Sequence, residues 1–261
     1  MGNLSTAVVR LPAVCGTVIL LGSGCASHGP STGSPASAAA TYNKPDVVLC
    51  QGNKVPVYAL ENPRRASELA PEAAPALGGL NVEQFNPGTW LIAQESSDRV
   101  MLMNKLAAPQ DSGQGDVRDY TYIVISTHSM MSEPGKPVWA VVESSTCTPT
   151  LDLGELRAGG VTLDPASPPV PESDRLALLV TESDCNSGQN AEGRVEVVNL
   201  IETESTVEVV IGVRPAIAQV ASCQGNPATP FTVDLEQPLG DRAVLNAAVM
   251  PAREIAIPKV P

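Results

Sequence analysis

Thr206-Val207-Glu208-Val209-Val210-Ile211-Gly212-Val213 decides the fold class. Val207, Val209, Ile211 and Val213 recur every second residue, with Thr206 and Glu208 between them. A period of two places the first set on one face of an extended strand and the second on the other. The β-branched side chains are stiff at χ1 and suit a pleated surface better than a helix. The stretch therefore reads as a strand with one buried face. The same alternation returns at Phe231, Val233 and Leu235, set against Thr232, Asp234 and Glu236. Leu176–Thr181, Arg194–Leu200 and Ala243–Val249 read as further strands. One polar face per strand is the mark of an antiparallel sheet packed on one side. Short strands, close turns and a crosslink predict an immunoglobulin-like or related β-sandwich for the C-terminal half.

Upstream the chain also reads as mostly β. Thr89–Gln94, with Trp90 and Ile92 on one face, and Asp98–Asn104 look like a hairpin around Glu95-Ser96-Ser97. Asp119–Thr127 is apolar on both faces, as a central strand would be, and Val138–Glu143 with Trp139 is another. Residues 105–118 read as a long hairpin loop. Helical signal is confined to residues 63–77. Pro63 suits a first turn, Pro71 and Pro75 interrupt it, and Gly78-Gly79 ends it, so one short Pro-interrupted helix is expected. The Pro-rich stretch 165–171 reads as a linker between a β-rich domain at 45–164 and a sandwich-like domain at 172–261.

The first residues read as an address. Arg10 precedes Leu11–Gly22, an uncharged apolar run of about 12 residues, where a membrane-spanning helix needs ~20. A charged start, a short apolar stretch and small residues at its end make a secretory signal over residues 1–24. Gly22-Ser23-Gly24-Cys25 resembles the bacterial lipoprotein signal, with Gly22 standing where that signal usually carries Leu. The resemblance implies that Cys25 receives diacylglycerol and becomes the mature N-terminus, so that the protein is lipid-anchored on the extracytoplasmic face of the cell membrane. Residues 26–41 are Ala-, Ser-, Gly- and Pro-rich, and with their neighbours make 25–44 a flexible tether. Met1-Gly2-Asn3-Leu4-Ser5-Thr6 also fits the short N-myristoylation pattern. That pattern implies a cytosolic protein and sits badly with the cysteines.

Beyond Cys15 and Cys25 four cysteines remain, Cys50, Cys147, Cys185 and Cys223. An even number in an exported chain reads as disulfides, and four cysteines allow three pairings. Cys50–Cys147 and Cys185–Cys223 keep each bridge within one half of the chain and are the expected pair. No spacing is CxxC and the only histidines are His28 and His128, so zinc is disfavoured. In the C-terminal half, Asp184-Cys185-Asn186-Ser187-Gly188, Gly193-Arg194-Val195, Cys223-Gln224-Gly225-Asn226-Pro227 and Pro238-Leu239-Gly240-Asp241-Arg242 resemble uncharacterised secreted proteins of high-GC Gram-positive bacteria. That resemblance implies export and a β domain, and no activity.

The chemistry-bearing residues are sparse. The net charge is −12, and loss of residues 1–24 would remove Arg10 but no acid. Such a surface repels phosphate backbones, so nucleic acid is not an expected partner. His128, beside Ser126 and Ser129, is the sole histidine outside the tether, and no G-x-S-x-G elbow accompanies it. Glu182, Asp184, Asn186 and Asn190 are weak candidates for calcium, with Asp111, Asp116 and Asp119 a weaker cluster. Trp90, Trp139, Tyr120 and Tyr122 would offer a sugar-stacking platform if exposed, though with eight aromatics in the chain they read as core. No catalytic set and no cofactor motif emerges. The expected role is non-enzymatic, in envelope structure or in binding an envelope protein or ligand. A cell-wall-active hydrolase using a carboxylate pair or His128, and a calcium-dependent adhesion module, are the alternatives.

Overall fold

The computed structural model describes residues 45–80, 85–111, 114–130, 132, 138–216 and 222–258, which all fall within one compact unit. The expected signal over residues 1–24, Cys25 and the expected tether over 25–44 lie outside the described residues. The chain is mostly β. In order it forms β1 (Val47–Cys50), β2 (Asn53–Pro56), the short α-helix α1 (Val57–Glu61), β3 (Leu91–Glu95), β4 (Arg99–Asp111), β5 (Val117–Ser126) and β6 (Ala140–Cys147). There follow β7 (Thr150–Leu151), β8 (Arg157–Ala158), β9 (Gly160–Leu163), β10 (Arg175–Thr181), β11 (Val195–Glu202), β12 (Thr206–Val213), β13 (Thr229–Asp234), β14 (Ala243–Asn246) and β15 (Arg253–Glu254).

β3, β4, β5 and β6 pair in that order as an antiparallel sheet. Both of its faces are covered, which is why β5 carries apolar residues on both sides. Met101, Met103, Tyr122 and Val124 pack against Val48 and Val55 of the small sheet β2-β1-β7. Val100, Leu102, Ile123 and Ile125 pack on the opposite side against Ala66, Ala73, Ala76 and Trp90. Each fully buried Val, Leu, Ile or Met side chain here contributes roughly 1.5–3 kcal/mol.

The expected helix at 63–77 is replaced by two short 3₁₀ stretches, Ala66–Glu68 and Ala74–Gly79, and the α-helix lies just before it. Prolines at 71 and 75 remove amide donors from what would have been consecutive turns. The expected loop at 105–118 is also shorter than its composition suggests. β4 runs on to Asp111 and β5 begins at Val117, with the register broken between Lys105 and Gln110, around Pro109. An unpaired bulge lets a proline sit in a strand without removing a ladder bond.

In the C-terminal half, the sheet β13-β10-β9 faces the five-stranded sheet β11-β12-β14-β15, in which β8 also pairs with β12. Leu176, Leu178, Val180 and Val233 of the first meet Val207, Val209, Ile211 and Val213 of the second in one core, a β-sandwich. The alternating residues of 206–213 thus face inward as their period requires. The pairing of β12 with β14 is parallel, a departure from the otherwise antiparallel ladders.

The Pro165–Pro171 stretch, which composition marks as a domain linker, joins β9 to β10 within one sheet. β8 and β9, N-terminal to it, complete the C-terminal sandwich. β7 binds the other way: it pairs with β1, while Leu151 donates its amide to Ala248 O at 2.8 Å. Val210, Ala247 and Ala248 pack with Leu151, Leu153 and Ala158 in a small core at this crossing. Among the described residues no helix is long and apolar enough to cross a membrane.

Candidate functional site

The two disulfides are Cys50–Cys147 and Cys185–Cys223, the pairing expected from the sequence. They differ in setting. Cys50 closes β1 and Cys147 closes β6, and both are fully buried in the core between the two sheets. Cys185 and Cys223 lie on exposed loops. Those loops are also laced by hydrogen bonds from Ser187 N to Ser222 O at 3.0 Å and from Gln224 Nε2 to Ser187 O at 2.7 Å.

The calcium candidates are brought near one another but are turned to other partners. Glu182 is buried, and both of its carboxylate oxygens accept from Arg194, at 2.6 and 2.5 Å. This pairing, more than any other cause, pushes the Arg194 guanidinium further up from its ordinary range. Asn186 donates to the carbonyls of Gln189 and Asn190, and Asn190 Oδ1 accepts from the Glu192 amide. Asp184 lies 3.7 Å from Arg157. The second acidic cluster is likewise dispersed. Asp116 holds Arg118 at 2.5 and 2.8 Å, while buried Asp119 accepts from Thr148 and from Arg253. Among the described residues no group of three or more His, Cys, Asp or Glu is arranged to hold a metal ion. Asn226 ties the loops from beneath, donating to Glu182 O at 3.0 Å and Asp184 O at 2.7 Å, while its Oδ1 is sealed without a partner. A shallow cleft of ≈ 280 Å³ lies over this region, between Arg118 and the exposed disulfide.

His128 is well exposed, with Nδ1 3.4 Å from Asp98 Oδ2. A hydrogen bond from the Ser96 hydroxyl, and then the His128 charge, hold the Asp98 carboxyl below the usual carboxylate range. Ser126 is buried, and its Oγ donates to Asp98 O at 2.9 Å and accepts from the His128 amide at 3.0 Å. Those bonds make it a turn-closing hydroxyl. The aromatics do not form a sugar platform: Trp90 and Tyr122 are buried, and Trp139 and Tyr120 are partly buried against the core.

The remaining polar centre was not legible in the sequence. Tyr122 OH donates to Glu143, whose two oxygens also accept from Asn53 Nδ2 at 3.1 and 3.3 Å, and Arg99 donates to Asn53 Oδ1 at 2.7 Å. These four residues come from four separate segments, so no local motif announces them.

The larger cleft, ≈ 330 Å³, opens where the tip of the β4–β5 hairpin meets β9, β14 and the C-terminal segment. Val117, Val161, Val249 and Ile255 give it an apolar wall, and Thr162, Asn246 and Arg253 add polar groups. Arg253 also reaches Asp119 on β5, and Leu163 N donates to Ala256 O at 2.9 Å, so the C-terminal segment straps the two halves together. A concave, largely apolar site with a few convergent polar groups is the usual form of a small-molecule pocket. No family model, curated protein or solved structure matches this chain.

Proposed function

We propose that the chain is an exported protein held at the extracytoplasmic face of the membrane by a lipid on Cys25. Residues 26–44 act as a tether, and the folded region has a non-enzymatic binding or envelope-structural role. The observation that carries this reading is the disulfide pairing. Two bridges, one at the centre of a core, belong to a chain that folds in an oxidising compartment. The apolar run Leu11–Gly22, just ahead of Cys25, supplies a route to that compartment, and the Pro-, Ser- and Gly-rich segment supplies the stand-off from the bilayer. The acidic surface favours neutral or cationic partners over nucleic acid or anionic headgroups.

The test is fractionation of cells expressing the full chain and its Cys25→Ser variant, with metabolic labelling by a fatty-acid probe. The native chain should be labelled and sediment with membranes, and the variant should lose the label and shift to the soluble fraction. An unlabelled native chain, or a variant that stays in the membrane fraction, would overturn the anchor.

A further inference from the structure

We propose that the cleft between the β4–β5 hairpin tip and the C-terminal strap binds a small neutral molecule with an apolar body and a carbonyl acceptor, of the amide or ester class. This deepens the binding role proposed above and does not depend on the anchor.

Size comes first. At roughly 30 Å³ per water-sized group, the ≈ 330 Å³ cleft takes a ligand of about ten non-hydrogen atoms. The wall is apolar at Val117, Val161 and Ile255, so most of that ligand must be apolar.

The polar part is specified by two unspent groups. Asn246 on β14 and Thr162 on β9 line the cleft and are only 7% and 6% exposed. Asn246 Oδ1 accepts the Ala248 amide at 3.0 Å, which fixes the side-chain amide and leaves Nδ2 as the free end. Neither Asn246 Nδ2 nor Thr162 Oγ1 hydrogen-bonds to another described residue. Neither is sealed in protein either, since the only sealed, partnerless side-chain atom among the described residues is Asn226 Oδ1. Both therefore reach the cleft, one as a donor and the other as a donor or acceptor. A buried donor left unmade is costly, and a ligand carbonyl satisfies it.

Charge decides between acceptors. Glu254, an exposed residue, puts a carboxylate on the wall, and Arg253 is already paired with Asp119. An anionic ligand would meet the like charge of Glu254 and a cation already neutralised. A neutral carbonyl meets no such penalty.

The test is an NMR titration of the full chain carrying Cys25→Ser, so that neither lipid nor detergent competes, with N-hexylacetamide as probe and octanoate as its charged counterpart of equal size. N-hexylacetamide should saturate with Kd of about 0.1–1 mM and shift the Asn246 side-chain amide signal. Octanoate should bind at least tenfold more weakly. Asn246→Asp keeps the acceptor for Ala248 and replaces the donor, and should weaken the probe about tenfold. Thr162→Val keeps the shape and should weaken it several-fold. Absence of saturable N-hexylacetamide binding, octanoate binding as tightly, or undiminished binding in both variants would each overturn the proposal. None of these results bears on the anchor, which the Cys25 fractionation tests separately.

Discussion

Gly115 and Gly160 meet backbone to backbone where the β4–β5 hairpin touches β9. A Cβ on Gly115 would lie 2.4 Å from the Val161 nitrogen and 2.9 Å from the Gly160 carbonyl carbon, and one on Gly160 would lie 2.7 Å from the Gln114 carbonyl oxygen. Gly115 also has φ +78°, a region that residues with a Cβ enter at a cost. Gly115→Ala is expected to destabilise by about 2–4 kcal/mol, combining strain with overpacking. Gly160→Ala should cost about 1–3 kcal/mol. Gly154→Ala, at φ +66° with open space around it, supplies the control for strain alone and should cost about 1 kcal/mol. Urea unfolding of the three variants checks the order, and equal losses in Gly115→Ala and Gly154→Ala would argue against the close contact.

Glu182 and Arg194 form a pair whose carboxylate is almost wholly enclosed, with side-chain exposures of 2% and 19%. Replacing Arg194 by Met strands that carboxylate and should cost about 3 kcal/mol. Glu182→Gln/Arg194→Met should recover part of the loss. Because Arg194 occupies both oxygens of Glu182, calcium should leave the melting temperature of the native protein unchanged. A calcium-dependent rise in calorimetry would contradict this.

The C-terminal strap depends on Arg253. Its guanidinium faces Asp119, a side chain only 10% exposed that otherwise accepts only from Thr148 among the bonds seen. Arg253→Met is expected to lower stability by about 2–3 kcal/mol. Hydrogen exchange should then quicken at Ile255, whose amide donates to Val244 O at 2.8 Å, and at Leu163. Unchanged exchange at both positions would show that the strap holds without the ion pair.

Burial first, and then the hydrogen bond to Glu143, push the Tyr122 phenol well above the ordinary tyrosine range near 10. The folded state therefore keeps this proton where the unfolded chain begins to release it. The stability so gained is complete below about pH 10 and declines as pH rises beyond it. Tyr122→Phe should flatten that alkaline decline and cost about 1–2 kcal/mol near neutrality, where Glu143 loses one donor but keeps Asn53. Stability curves of the two proteins that run parallel above pH 10 would refute the assignment.

The disulfides should separate under mild reduction. Thiolate attack needs access, which Cys185 and Cys223 have and Cys50 and Cys147 lack. In native protein treated with a dithiol and then an alkylating agent, mass spectrometry should find that, of the four bridged cysteines, Cys185 and Cys223 alone carry label. Their loss should lower stability by about 4 kcal/mol for a loop of 38 residues. Early label on Cys147 would contradict the burial argument.

Much of the fold was legible because it rests on a local signal. The alternation of Val207, Val209, Ile211 and Val213 carries its own period, and the two apolar faces of β5 announced a strand covered on both sides. The extension of β4 through Pro109 was not readable, since a bulge hides a proline that composition assigns to a loop. The placement of 150–163 is not readable for a related reason. Pro165–Pro171 has the composition of a linker, while the decision that it closes a sheet is made by β9 meeting β10, a pairing with no sequence mark. The cleft residues Thr162, Asn246 and Arg253 are single polar positions in short strands, brought together only by that topology. The carboxylate of Glu182 is legible as a possible ligand, but no local signal marks Arg194, twelve residues on, as its partner.

The crossing of strands between the halves sets how the chain can be divided. A fragment starting at the Pro-rich stretch would leave behind β8 and β9, and with them the partner of Leu178–Thr181 along one edge of β10. That edge would present open amides and carbonyls beside a bared Leu178–Val180 face, the kind of rim on which chains add to one another end over end. Proteolytic nicking at 165–171 is a different matter: both pieces stay zipped together, so a cut molecule should behave in solution as an intact one.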